Sequence, residues 1–141
     1  MRAAALVFAL LFLAGPAGAK PTGLETVLGE WSGRYDCGQG VTSLKLVVSK
    51  TPKGRMAARF SFGPVPENPT VPKGAYAMEG SFDAKTRRLQ LRGVKWINQP
   101  SNYFMVDLDG RVSEAGDRYS GTVPAAGCTV FELRRAEALI G

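Results

Sequence analysis

The sequence predicts an all-β fold, an eight-stranded antiparallel up-and-down barrel closed by a Cys37–Cys128 disulfide. Three observations carry this expectation. Apolar residues recur with period 2, and no segment has convincing helical periodicity. The strand-like segments come to eight, an even count, so the last runs antiparallel to the first and closes the meander without free edges. The two cysteines sit at the end of the first segment and the start of the last, ends that share one rim in an antiparallel pair.

The chain divides simply. Residues 1–19 read as a secretory signal peptide: Arg2 gives the positive n-region, an uncharged apolar run follows, Gly15-Pro16 breaks it, and Ala17-Gly18-Ala19 offers small residues for cleavage. The run is too short for a permanent transmembrane helix. No cysteine lies just after the cleavage point, so a lipid anchor is not expected, and with so short an apolar run no integral membrane anchor is expected either. Residues 20–28 form a polar lead-in, 29–135 the barrel domain, and 136–141 a C-terminal tail. One domain's worth of chain remains after cleavage. The expected location is the periplasm or the medium, where a disulfide is the default state of two cysteines.

The strands follow in order. Trp31, Gly33 and Tyr35 alternate with polar neighbours, then Leu44, Leu46 and Val48 do so. Thr51-Pro52-Lys53-Gly54 has turn chemistry. Met56, Ala58, Phe60 and Phe62 form the third strand. Residues 63–74 carry four prolines and read as a stiff extended loop. Tyr76, Met78, Gly80 and Phe82 form the fourth strand, and Asp83-Ala84-Lys85-Thr86 turns into the fifth, with Leu89, Leu91 and Gly93. Residues 94–101 read as irregular. Asp109-Gly110 is a hairpin signal, but Phe104, Val106, Leu108, Gly110 and Val112 keep one alternation through it. Residues 102–113 are therefore read as one long strand bent or bulged at Gly110. Tyr119, Gly121 and Val123 form the seventh strand, and Cys128 to Arg135 the eighth.

The seam between first and last strands sets a register question. If Cys37 lay directly opposite Cys128, Trp31 would face Arg134. A one-residue offset puts Trp31 near Arg135 and keeps Phe131 and Leu133 inward, at roughly 2 kcal/mol of burial each. The offset is the preferred reading. Nine aromatic side chains are expected inside: Trp31, Tyr35, Phe60, Phe62, Tyr76, Phe82, Phe104, Tyr119 and Phe131. Gly33, Ala58, Gly80 and Gly121 read as space made for them.

A Gly-x-Trp opening the first strand, with an arginine closing the last, resembles the lipocalin and avidin group of barrels. In that group the arginine packs across the tryptophan at the closed end, which implies a calycin-like barrel here with Gly29, Trp31 and Arg135 as its structural closure, away from the disulfide. The run Trp31-x-Gly33-x-Tyr35-x-Cys37-x-Gln39-Gly40, with Asn68-Pro69 in the Pro-rich loop and Gly127-Cys128, is similar to a set of uncharacterised bacterial exported domains. Tyr35 and Cys37 with late Cys128 also resemble the periplasmic inhibitors of c-type lysozymes. The inhibitory Ser and Lys loop motifs of those proteins have no recognisable counterpart here.

Several functions are excluded by composition. The chain has no histidine, so Ser-His and Cys-His catalysis are absent, and two isolated cysteines give no metal-ligand spacing. No enzyme activity, cofactor or metal is expected. The net charge of +6, one charge of which is Arg2 in the leader, is spread along the chain, so no nucleic-acid partner is expected. Asp107 and Asp109 read as outward solvated charges rather than a catalytic pair. Alternate connections open at the disulfide end, including both long loops. The candidate binding rim is Gln39, Asn68, Trp96, Asn98, Gln99 and Tyr103. Trp96 is either an exposed anchor or a lid packed on the Pro-rich loop. The expected function is a monomeric, non-enzymatic binding module that docks a protein or envelope component through this rim. Inhibition of a lysozyme-type hydrolase is one form of it. The alternative is a carrier of small hydrophobic ligands.

Overall fold

The computed structural model describes residues 23–136; the signal peptide, residues 20–22 of the lead-in and the tail beyond Ala136 lie outside the described residues. One turn of 3-10 helix, Leu24–Thr26, precedes eight strands. These are β1 Gly29–Cys37, β2 Gly40–Lys50, β3 Met56–Gly63, β4 Gly74–Asp83, β5 Arg88–Asn98, β6 Leu108–Val112, β7 Arg118–Thr122 and β8 Val130–Arg135. Each pairs antiparallel with the next, and β1 pairs with β8, closing the barrel.

The seam has the one-residue offset. Trp31 pairs with Arg135 and Tyr35 with Phe131, while the Cys37–Cys128 disulfide lies beyond the last ladder pair. The physical reason is side-chain parity. Phe131 and Leu133 are buried, so Arg135 shares their face. Its guanidinium carbon lies 4.3 Å from the centroid of the Trp31 ring. Its Nε donates to Gly116 O at 2.8 Å and its Nη1 to Leu28 O at 2.6 Å, and Nη2 donates to Thr26 O. Trp31 Nε1 donates to Val27 O at 3.1 Å. One cation thus ties the 3-10 turn, β8 and the β6–β7 turn across the closed end. Replacing Arg135 with Ala should cost about 3 kcal/mol, since a cation–π contact and charge-assisted hydrogen bonds go together. Urea unfolding should show a midpoint lower by about 1–2 M. Arg135→Lys should recover only part, because an ammonium lacks the planar fork.

The interior is filled by rings. Phe60 stacks on Tyr76 at 4.5 Å, and Tyr35 and Phe62 meet Phe60 edge-on at 5.2 and 6.2 Å. A second cluster at the closed end joins Trp31 to Tyr119 at 6.2 Å and Tyr119 to Phe131 at 4.7 Å. Seven of the nine expected rings are buried. Phe82 is half-buried, its ring 5.5 Å from the Arg87 guanidinium carbon, and Phe104 points outward with 84% of its surface exposed. The glycines serve the sheet more than the rings. A Cβ at Gly33 would lie 1.9 Å from Glu132 O, and one at Gly80 2.0 Å from Gln90 O. These positions admit the neighbouring strand's backbone, which a coiled eight-stranded sheet brings close.

Two segments differ from the sequence reading. Residues 94–98 belong to β5 rather than to a loop. The β4–β5 register shifts at two places, so that Val94 and Ile97 are extra residues, each a bulge. Conversely, β6 is only five residues long, and 102–107 is not strand. The β5–β6 and β6–β7 ladders run through Gly110 without a shift, so the irregularity expected there sits in β5 instead.

Candidate functional site

The connections β1–β2, β3–β4, β5–β6 and β7–β8 meet at the disulfide end. Their positions follow from local chemistry. Gly40 has φ 92°, and a Cβ there would sit 3.0 Å from Asn68 Nδ2. Glycine thus permits both the turn and the approach of the Pro-rich loop. Asn68 donates from Nδ2 to Gln39 O at 2.7 Å and Val41 O at 3.2 Å, pinning that loop to the β1–β2 turn. Gln39 Nε2 donates to the Tyr35 hydroxyl at 3.3 Å and to Thr42 Oγ1 at 3.0 Å.

The β5–β6 connection crosses the barrel mouth. Tyr103 N donates to Pro100 O at 3.3 Å, and Asn102 takes φ 64°, which asparagine tolerates. The turn aims Tyr103 inward, and its ring stacks on Phe62 at 5.3 Å. Two residues beyond Phe104 the Tyr76 hydroxyl grips Val106, donating to its O and accepting from its N, both at 3.0 Å. Asp107 Oδ1 accepts from Gly93 N at 3.0 Å, capping β5 where β6 has not yet begun. The segment 103–106 is therefore held at both ends, and Phe104 is the side chain left facing solvent.

The six rim residues divide by role. Gln39 and Asn68 are spent on internal bonds. Trp96 lies in β5, half-buried, edge-on to Tyr76 at 5.0 Å and to Phe62 at 6.2 Å. It packs against these rings of β3 and β4. Asn98 donates to Lys73 O at 3.3 Å and Gln99 to Tyr103 O at 3.1 Å, both exposed. Gln39 and Tyr103 come together with the disulfide around a cleft of about 480 Å³, lined also by Tyr35, Phe104, Met105 and Val106. Asn68, Trp96, Asn98 and Gln99 do not line it. Phe104 is the residue that sequence reasoning assigned to the core. The local alternation gives no sign of this, since Phe104 keeps the parity of Val106 and Leu108.

The cleft is lined by phenol, amide and apolar groups beside the disulfide. Burial, with the nearby Tyr103 phenol, pushes the Tyr35 hydroxyl well above the ordinary phenol range, so it stays protonated and polar. Among the described residues no group of three His, Cys, Asp or Glu side chains lies close enough to hold a metal ion. Asp109 is held by Arg88 through bonds of 2.9 and 2.7 Å, which lower its pKa, and Asp107 is bound to Gly93. The disulfide belongs to oxidising environments. No helix among the described residues is long and apolar enough to cross a membrane.

The fold and rim define a small disulfide-closed β-barrel with a ring-filled axis and one apolar cleft at its disulfide end. No family model matches the chain, and neither curated proteins nor solved structures show a match to it.

Proposed function

We propose that the chain is an exported, non-enzymatic binding module that docks a protein of the cell envelope or its surroundings through the disulfide-end rim. The observation that carries this is Phe104. An aromatic side chain 84% exposed, on a segment pinned at both ends beside an apolar cleft, loses little freedom on binding. Tyr35 adds an O–H donor at the cleft wall for an acceptor on the partner. Inhibition of a lysozyme-type hydrolase is one concrete form of this docking. A small apolar ligand is the second reading, favoured by the volume of the cleft, which falls in the range of small-molecule sites. It would sit in that cleft, since stacked rings occupy the axis.

Phe104→Ser should leave the unfolding midpoint within about 0.5 kcal/mol of wild type, because the ring makes little of the core. It should lower capture of a specific partner from envelope extract about tenfold or more, while Val47→Ser, on the barrel wall, should not. Equal recovery with both variants removes Phe104 as the anchor. Unchanged lysis of cell walls by c-type lysozyme in the presence of excess wild-type protein removes the inhibitor form.

A further inference from the structure

The outer wall of the barrel carries a second surface, unconnected with the cleft. The ladders align Ser32, Lys45, Ser61, Ala75 and Asn98 in one row across β1 to β5. The neighbouring row contains Arg59 and, one alanine away, Lys95. Between the row and the start of the Pro-rich loop lies a hollow of about 590 Å³. Its floor is open because Gly63 and Ala75 project little or nothing into it. At Gly63 a Cβ would meet Lys73 Cγ at 3.4 Å and Ser43 Oγ at 3.5 Å, so the lysine stem and the hydroxyl converge on that point.

The lining contains three cations, Lys45, Arg59 and Lys73, three serine hydroxyls and the Asn98 amide, and no carboxylate. Glu30 pairs with Lys45 at 3.1 Å from outside the hollow. Arg59 donates to Ser61 Oγ at 3.4 Å, and neither Arg59 nor Lys73 has an ion-pair partner among the described residues. Elsewhere on the barrel wall several cations do have a cross-strand anion, as in Arg88 with Asp109, Arg92 with Glu79 and Arg118 with Glu132. Here two cations face shared space without an anion.

We propose that this hollow binds an acidic polysaccharide, its anionic groups on Arg59 and Lys73 and its sugar hydroxyls on Ser32, Ser43 and Ser61. Short hydroxyl and amide side chains on the barrel wall suit a sugar's alternating donors and acceptors. The charge-assisted bonds supply the strength. A nucleic acid is a poorer fit, because the one ring in the lining, Phe62, is buried and already stacked on Tyr103, which leaves no open face for a base. An extended peptide is also a poorer fit, because both edges of β2 and β3 are already paired.

The test uses the mature protein and immobilised dextran sulfate, polygalacturonate and neutral dextran, with polyuridylate as the nucleic-acid probe. Wild type should bind at least one of the two acidic polymers, and neutral dextran much less; which acidic polymer is preferred identifies sulfate or carboxylate as the anion. Arg59→Ser with Lys73→Ser should weaken binding about tenfold or more. Lys53→Ser with Arg111→Ser, which removes the same charge far from the hollow, should change it less than about twofold. Equal losses from both double variants would mean that net charge alone is read, and overturn the site. So would wild-type binding to acidic polymers no tighter than to neutral dextran, or polyuridylate bound more tightly with the same variant sensitivity. Phe104→Ser should leave this binding unchanged, which separates the two surfaces.

Discussion

Replacing Cys37 and Cys128 together by Ser should lower the thermal midpoint by roughly 15–20 °C under oxidising conditions. The bridge spans 91 residues, and the loss of loop-closure entropy in the unfolded chain is worth roughly 4–5 kcal/mol at that length. The bond stands outside the β1–β8 ladder, which ends at Tyr35 and Phe131, with Thr129 N donating to Asp36 O at 3.0 Å just beyond. Closure by hydrogen bonds and by Arg135 on Trp31 therefore survives in the variant. It should fold to the same barrel, with unchanged near-ultraviolet dichroism from the buried rings. Calorimetry with and without reductant checks the attribution: wild type should fall on reduction to the variant's midpoint, and the variant should not move. A difference below about 1 kcal/mol would mean that the seam is held by the ladder alone.

The seam was legible in the sequence because it is a parity problem. Phe131 and Leu133 declare which face of β8 is inward, and Arg135 follows from them by the period of a strand. The cysteines add the rim. The β5–β6 region was not legible, for two opposite reasons. In β5 the alternation breaks at Val94 and again at Ile97, because each is a bulge, and broken alternation reads as a loop. In 102–107 the alternation of Phe104, Val106 and Leu108 continues, although the chain there is crossing the barrel mouth. What holds it is the Tyr76 hydroxyl, 30 residues back in the chain, and no local pattern reports a contact of that kind.

The same two misreadings moved the site. With 102–107 taken as strand, Phe104 belonged to the core and Trp96 to a loop. The structure exchanges them: Trp96 packs over Phe62 and Tyr76, and Phe104 faces solvent. Strand order places Gln39 and Asn68 at the rim, since their connections open at the disulfide end. They are there, but their amides hold the rim together, a use that residue type does not distinguish from ligand binding. The outer-wall hollow was invisible for a further reason. Ser32, Lys45, Ser61 and Asn98 are far apart in the chain, and only the strand register makes them a row.

Raising the pH from about 10 to about 11.5 should destabilise the barrel steeply, more than any single surface change would. Three of the four tyrosines are buried, and each is pushed far above the ordinary phenol range. Burial is the first cause in all three. For Tyr35 the nearby Tyr103 adds to it; for Tyr76 Tyr35 and Asp107 add, against the lowering effect of the Val106 amide; for Tyr119 Asp109 adds. In the unfolded chain the same hydroxyls ionise near pH 10. Below that pH both states hold these protons and stability is full. Above it the unfolded state releases protons that the native state keeps, so the native state binds more and stability falls as pH rises. Each tyrosine contributes up to about 1.4 kcal/mol per pH unit, and the three together about 4. Urea midpoints measured through this window should fall with that slope, and tyrosinate absorbance should rise in step with loss of structure. Tyr119→Phe should lower stability at neutral pH, because Tyr119 OH donates to Leu89 O at 2.8 Å, yet flatten the alkaline slope by about a third. Midpoints that stay level from pH 10 to 11.5 would mean that the hydroxyls reach solvent in the native barrel, and that the ring-filled axis is open to water.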